Sequence, residues 1–266
     1  MNQQLFDVQD LPLDDLAKIG LIQESGLVLD REDIDALLSG RRTGMLRFEN
    51  LSFDGFNIPA LDAKISLKQG ANGELELMMH PIYKKAEYPA WLTDTEAEKL
   101  EKGEAVNLEK MIFDDEGHLK DVLVEFDKET NEFIVTDTEK VQAPDKVNNE
   151  RLTPEQKERF RKGKEVELSD GTKFQFSAAD PTGLRSNRLQ LIASIVIDGG
   201  LSYVLFKGLN ALFGHKQEKS AEVNNSKGFQ TAMREMEEQE QKRGLGVESR
   251  PKGEYSRGYN RSGSSR

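Results

Sequence analysis

Two stretches of this sequence repeat each other at an offset of 60 residues. The segment LTDTEAEKLEKGEAVNL, residues 92–108, aligns without gaps to LTPEQKERFRKGKEVEL, residues 152–168, and seven of the 17 positions are identical. Such self-similarity is the mark of a structural unit that occurs more than once. Because two copies are too few for a solenoid, the sequence predicts a tandem duplication of one small unit.

Each copy carries the signals of a capped two-turn helix followed by a strand and a hairpin turn. A threonine provides the N-cap, an acid or amide three residues later completes a capping box, and a glycine ends the helix. These residues are Thr93, Glu96 and Gly103 in the first copy and Thr153, Gln156 and Gly163 in the second. Two-turn helices are marginal alone, so each is expected to pack on its own hairpin. We place the first unit at residues 92–148 and the second at 149–186.

The residues before the repeat predict a small α+β domain at 10–84. Apolar residues recur at helical spacing in two segments and alternate with polar residues in three. The helices are predicted at 10–21 and 30–40, and the strands at 45–53, 61–67 and 74–79, forming an antiparallel meander. Lys64 falls with Asp62 and Ser66 on the strand face that is expected to contact water.

Residues 85–91 join this domain to the repeat and contain the single tryptophan of the chain. They are interpreted as a packed linker that Trp91 anchors. The alternative is that Tyr88 and Trp91 form an aromatic pair that stacks on a peptide or a base.

Composition excludes several classes of protein. The 266 residues include no cysteine and three histidines, which removes a disulfide scaffold, a cysteine nucleophile and a Cys-ligated zinc site. The net charge is −11, and residues 94–150 alone carry 18 acids against seven bases. A strongly basic nucleic-acid binder is therefore excluded for the chain as a whole. The polar, acidic N-terminal residues do not resemble a signal peptide, and the protein is expected in the cytoplasm.

No arrangement of residues predicts catalysis, a cofactor or a metal. The densest acidic cluster lacks calcium-loop spacing and is interpreted as a solvated face. Its members are Asp114, Asp115, Glu116, Asp121, Glu125 and Asp127. His80 is interpreted as structural and His118 as exposed. Arg41 and Arg42 follow a predicted helix end, where we expect them near its C-terminal dipole.

Residues 189–213 form the longest apolar run, LQLIASIVIDGGLSYVLFKGLNALF. We interpret them as an apolar helical segment, broken after Asp198. Two roles stay open: contact with a membrane, which Asp198 and Lys207 disfavour, or packing on the repeat units or a partner. The residues predicted to make the contact are Leu191, Ile195, Asp198, Leu205, Phe206 and Leu212.

Residues 214–266 are predicted to be a disordered tail, in which residues 233–243 have the composition of a charged helix. Residues 250–266 carry five bases and one acid with two interleaved tyrosines. Nucleic-acid contact is the alternative to a solubilising tail. It would involve Arg250, Lys252, Tyr255, Arg257, Tyr259 and Arg261.

Three segments, LLSGRRT (37–43), LDAKISLKQGANGELELMMHPIYK (61–84) and LTPEQKERFRKGKEVEL (152–168), resemble two uncharacterised domain families. The resemblance covers about residues 10–185. These families occur together in Bacteroidetes conjugative transposons and related mobile elements, sometimes linked to topoisomerase III-like and mobilisation proteins. The resemblance to these families implies no catalytic residues. Relatives carry a basic Ser-Lys-Lys-Gly-Lys stretch after the first strand, whereas this chain has FDDEGHLKD and LSDGTKF, so a basic contact at that loop is not expected.

These observations favour a non-enzymatic accessory or adaptor protein of a mobile genetic element. It would act through protein–protein contacts with a DNA-transfer or DNA-processing system. Two alternatives stay open: a nucleic-acid-associated protein that uses its basic C-terminal third, and a membrane-associated transfer component anchored by residues 189–213.

Overall fold

The computed structural model of the chain describes residues 5–24, 26–53, 56–70, 72–114, 116–197, 200–207 and 226–242. Within these residues the chain forms five α-helices and fifteen strands, and every strand pair is antiparallel. The predicted α+β class is confirmed.

The N-terminal domain packs two helices on a three-stranded meander, as predicted. Its elements are α1 (Leu13–Lys18), a short hairpin of β1 (Ile22–Gln23) and β2 (Gly26–Leu27), α2 (Arg31–Leu38), β3 (Leu46–Phe53), β4 (Phe56–Gln69) and β5 (Leu75–Pro81). The core includes Leu16 and Leu37 from the helices and Ile65 from β4, all buried. Gly20 and Gly40, the predicted helix stops, both have positive φ.

The first repeat unit is a capped helix on a meander. Its elements are α3 (Asp94–Lys102), β6 (Asn107–Phe113), β7 (Leu119–Asp127) and β8 (Glu132–Asp137), with strand order β6-β7-β8. Thr93 and Glu96 form the predicted capping box, and Gly103 ends the helix in the left-handed conformation. Leu100 of the helix packs on Val124 of the sheet.

The second unit repeats this arrangement in shorter form. A small hairpin of β9 (Lys146–Val147) and β10 (Glu150–Arg151) leads into it and spans the predicted boundary between the units. The unit then consists of α4 (Pro154–Arg161), β11 (Val166–Glu167), β12 (Lys173–Phe176) and β13 (Leu184–Ser186), in the order β11-β12-β13. The predicted capping box of Thr153 and Gln156 is present, with Pro154 in the first turn.

The two copies differ in the length of the hairpin after the helix. In the first copy Leu108 pairs with Val124 and encloses 15 residues, whereas in the second Leu168 bonds to Thr172 and encloses three. The hairpin of the first copy is therefore twelve residues longer. We call residues 109–123, which lie beyond the Leu108–Val124 pair, the extended hairpin.

The prediction of an apolar helical segment at 189–213 is wrong for the residues that the structure describes there. They form β14 (Gln190–Ile197) and β15 (Gly200–Lys207), which pair as a hairpin, and β14 also pairs with β9. Leu191 and Phe206 face the core of the second unit, while Ile192 and Leu205 on the opposite face pack against a helix. Strands covered on both faces show continuous apolar sequence, which cannot be distinguished from a buried helix by periodicity.

That helix, α5 (Lys227–Lys242), lies within the region predicted to be a disordered tail, so this part of the prediction is wrong. Phe229 and Ala232 are buried against the hairpin, and the Tyr203 hydroxyl donates to Glu235 at 2.7 Å. Tertiary packing of one apolar side orders a helix that its charged composition alone would leave unstable.

The glycines that end the two repeat helices supply a matched test. Both have positive φ, so alanine costs about 1–2 kcal/mol at either position. At Gly163 an added Cβ would lie only 2.3 Å from Asn107 Oδ1, and the amide of Asn107 is held by a hydrogen bond to the Phe176 carbonyl at 2.9 Å. At Gly103 the nearest atom is the flexible end of Lys128.

Gly163→Ala is therefore expected to lower the free energy of unfolding by about 1 kcal/mol more than Gly103→Ala, since it displaces a hydrogen-bonded side chain. Urea denaturation of the two variants measures the difference. Equal losses would contradict the contact with Asn107.

The two capping boxes predict different responses to acid. Hydrogen bonds from Lys110 and from the Thr93 backbone lower the pKa of Glu96 from 4.5 to about 2. Because the folded-state pKa is depressed, this stabilisation is complete above the unfolded value and is lost as pH falls from 4.5 towards 2. Glu96→Gln, which copies the second box, is expected to lose less stability than the parent between about pH 5 and pH 3. Chemical denaturation at both pH values provides the measurement, and an equal loss in parent and variant would refute the assignment.

Candidate functional site

A cluster of buried charges joins the N-terminal domain to the repeat units. The side chain of Lys64 is 0% exposed, and its Nζ lies 2.8 Å from Asp127 Oδ2 and 2.9 Å from Glu129 Oε2. The ammonium also donates to the Ala179 carbonyl at 3.1 Å. A single cation therefore contacts the end of β7, the turn that follows it and a loop of the second unit.

Arg42 reinforces the same junction. Its Nη1 donates to Glu132 Oε2 at 2.7 Å and to Thr130 Oγ1 at 3.2 Å, and His80 Nδ1 lies 3.5 Å from the same Glu132 oxygen. Burial opposes ionisation of Glu132, but the hydrogen bond from His80 and the charge of Arg42 outweigh it and lower the pKa. The cations come from the N-terminal domain, and the carboxylates come from the adjoining ends of β7 and β8 and the turn between them. The cluster therefore docks the N-terminal domain on the first unit.

Two predictions are corrected here. Lys64 was expected on a water-facing strand surface, but the repeat units bury it at this position. Arg41 and Arg42 were expected near the C-terminal dipole of α2, yet Arg41 Nε donates to the Pro181 carbonyl at 3.3 Å and Arg42 reaches the first unit. A strand pattern shows which residues share a face but not what covers that face.

Glu125 forms a second buried contact, between the two repeat units. Its carboxylate accepts from Ser177 Oγ at 2.5 Å and from the Ala178 backbone N–H at 2.6 Å, and Arg185 lies 3.5 Å away. Burial raises the pKa of Glu125, and the charge of Arg185 opposes that rise. The interpretation of a solvated acidic face is therefore wrong for Glu125 and Asp127, which are both buried.

The acidic turn of the extended hairpin brings Asp114, Glu116 and His118 together, with one ligand atom of each within 4.8 Å of the others. Asp114 Oδ1 accepts the backbone N–H groups of Glu116 at 3.0 Å and His118 at 2.8 Å, and Oδ2 lies 3.1 Å from Lys120 Nζ. Glu116 and His118 are exposed. These contacts are those of a side chain that stabilises a tight turn, and they account for the grouping without an ion.

The extended hairpin also exposes large apolar side chains. Met111 is 63% exposed, Phe113 is 73% exposed and Leu119 is 55% exposed. Phe113 pairs directly with Leu119, and Met111 is two residues from Phe113 along β6, so strand alternation places all three on one face. We call these three residues the apolar patch.

The base of the hairpin is held by the second unit. Asn107 donates to the Phe176 carbonyl, and Glu109 Oε2 lies 3.0 Å from Lys164 Nζ. Leu123 is buried in the core of that unit. The apolar patch lies on the same strand face, beyond this covered region.

The linker at residues 85–91 contacts the first repeat unit through Tyr88. The Tyr88 ring packs edge-on against Phe133 at a centroid distance of 5.8 Å, and its hydroxyl donates to Asp94. Trp91 is 37% exposed. Tyr88 thus holds the linker on the first unit.

Several predicted contact residues lie in the hairpin of β14 and β15. Leu191, Leu205 and Phe206 pack within the chain. Ile195 belongs to β14, but its side chain lies outside the described part of the structure. The remaining predicted contacts are outside the described residues: Asp198, Leu212, Arg250, Lys252, Tyr255, Arg257, Tyr259 and Arg261. Within the described ranges, no helix is both long and apolar enough to span a bilayer.

Comparisons with known proteins agree with parts of this organisation. Residues 6–90 match the model of a family described as "Protein of unknown function (DUF4099)". Residues 144–173 match that of "Protein of unknown function (DUF3945)". The first match covers the N-terminal domain, and the second covers β9, β10, α4 and β11. Neither curated proteins nor solved structures gave a match.

Proposed function

We propose that this protein is a non-enzymatic adaptor that binds a partner protein through the apolar patch of the extended hairpin. The observation that carries the proposal is the exposure of Met111, Phe113 and Leu119. All three lie on a hairpin that is twelve residues longer in the first copy than in the second.

The second copy indicates whether the fold of the unit needs the extended hairpin. The second unit forms its capped helix and meander with a three-residue turn, so this architecture does not require the extension. Exposed apolar side chains grouped on one face typically mark a contact surface, whereas scattered ones are ordinary. Folding of the unit therefore does not explain the exposed apolar patch, whereas binding to another protein does.

The buried charges support a structural rather than a catalytic interior. Lys64 and Glu125 each have several partners within the chain, and these contacts join the three units. We place the partner in a DNA-transfer or DNA-processing system of a mobile genetic element, and the adaptor in the cytoplasm. This placement rests on the resemblance of the chain to two domain families of mobile genetic elements.

In-cell photocrosslinking tests the proposal. A benzoylphenylalanine at Phe113 samples the patch, and the same group at Phe56 provides a matched control because Phe56 is 74% exposed on the N-terminal domain. We expect a discrete adduct with one DNA-transfer or DNA-processing protein from position 113 but not from position 56. The same adducts from both positions, or none from position 113, would refute the adaptor role.

A further inference from the structure

We propose that β15 pairs antiparallel with β15 of a second copy of this chain, so that the protein is a symmetric dimer. This interface lies apart from the apolar patch and is independent of the adaptor role. Three features of β15 support it: its place at a sheet edge, its uncharged sequence and the direction of its backbone groups.

β15 stands at the end of the order β10-β9-β14-β15, and within the described residues no strand pairs with its outer edge. All of its residues pair with β14 in one continuous register, without a bulge. Its sequence from Gly200 to Phe206 contains no charged residue and no proline. A regular, uncharged edge of this kind is a ready template for another strand.

Among the described strands, those at the other edges of the larger sheets carry features that discourage strand addition. β10, at the opposite end of the same sheet, consists of only Glu150 and Arg151. Each edge strand of the three-stranded sheets includes a charged residue: Arg47 in β3, Glu76 in β5, Glu109 in β6, Glu132 in β8, Glu167 in β11 and Arg185 in β13. The edge of β15 lacks such features, as expected of a strand that is paired in the working protein.

The contacts of β14 show which backbone groups of β15 face outwards. The Ile192 carbonyl accepts from the Asn148 N–H at 2.8 Å, and the Ile192 N–H donates to Asn148 Oδ1 at 3.2 Å, so both groups of Ile192 point away from β15. Ile192 and Leu205 are therefore a non-hydrogen-bonded pair, and the N–H and C=O of Leu205 point to the free edge. Strand alternation gives the same direction to the backbone groups of Leu201, Tyr203 and Lys207.

A second β15 satisfies these groups in one symmetric register. With a twofold axis at Val204, Tyr203 pairs with Leu205 of the second copy, and Leu201 pairs with Lys207 of the second copy. All four residues with outward groups are then used. No charged residue is placed opposite another, as a self-complementary contact requires.

The side chains on both faces of β15 also fit a second β15. Tyr203 and Leu205 pack on the α5 side and Phe206 on the core of the second unit, and all three are only half-buried. An axis perpendicular to the sheet keeps each face on its own side, so Tyr203 meets Leu205 and Val204 meets its own copy. The pairing would therefore bury more of these apolar side chains.

Disulfide trapping tests the register, because the chain has no cysteine of its own. Val204→Cys places two thiols in a non-hydrogen-bonded pair across the axis, where Cβ atoms are close enough for a disulfide. Val135→Cys is the matched control, since Val135 on β8 is 42% exposed and Val204 is half-buried. Under mild oxidation we expect Val204→Cys to form covalent dimers at least about tenfold faster than Val135→Cys.

Analytical ultracentrifugation of the full-length protein measures the dimer without a crosslink. We expect the parent to sediment at twice the mass of one chain. Val204→Lys should raise the dimer dissociation constant by at least about tenfold, because two lysines would face each other across the axis. Val135→Lys should leave that constant unchanged.

A parent that sediments as a monomer at every concentration would overturn the dimer. Equal rates of disulfide formation in the two cysteine variants would overturn pairing through β15. The cysteine variants keep the test valid if the lysine at position 204 destabilises the fold.

Discussion

Lys64→Met is expected to lower the free energy of unfolding by about 3–5 kcal/mol, because it leaves the buried carboxylate of Asp127 without its closest cation. Arg42 Nη1 is 3.7 Å from the same carboxylate, too far to replace the hydrogen bond of 2.8 Å. The Ala179 carbonyl would also lose its donor. Equilibrium denaturation in urea, read by circular dichroism, measures the loss.

Lys68→Met is the matched control, since Lys68 lies on the same strand and is exposed. It is expected to change the free energy of unfolding by no more than about 0.5 kcal/mol. The double variant Lys64→Met, Asp127→Asn should recover part of the loss, because it removes the uncompensated charge. Similar unfolding midpoints for Lys64→Met and Lys68→Met would contradict the account of a buried junction.

Phe174→Ala is expected to lower the free energy of unfolding by about 3–5 kcal/mol. Phe174 is 0% exposed, and its ring lies 5.8 Å from that of Phe160 on α4, so alanine would leave a cavity between helix and sheet. Phe113→Ala removes the same atoms from an exposed position and should cost no more than about 0.5 kcal/mol.

Denaturation of the two alanine variants side by side provides the comparison. A loss at Phe113 as large as that at Phe174 would mean that the apolar patch is part of the folding core. The patch would then no longer need a partner to explain it.

Local signals predicted much of the repeat. The capping boxes and terminal glycines depend on residues three to ten positions apart, and the offset of 60 residues identified the second copy. The meander of the N-terminal domain followed from period-two alternation. Such features can be predicted from the sequence because the residues that form them lie close together in the chain.

Contacts between distant segments were missed for the opposite reason. Lys64 and Asp127 are 63 residues apart, and Glu125 and Ser177 are 52 apart, so no local pattern indicates that these charges are buried together. The helix predicted at 189–213 failed because neighbouring residues such as Leu191 and Ile192, on opposite faces of β14, are both buried. The apolar patch was not predicted either, although the different hairpin lengths of the two aligned copies could have indicated it.

The most direct test of the adaptor role is the affinity for the partner identified by crosslinking. Phe113→Ser should weaken the complex by at least about tenfold while keeping the unfolding midpoint of the parent. Phe56→Ser, which changes an equally exposed aromatic residue, should leave both quantities unchanged. Equal affinities of the parent and of Phe113→Ser would contradict the claim that the extended hairpin is the docking surface.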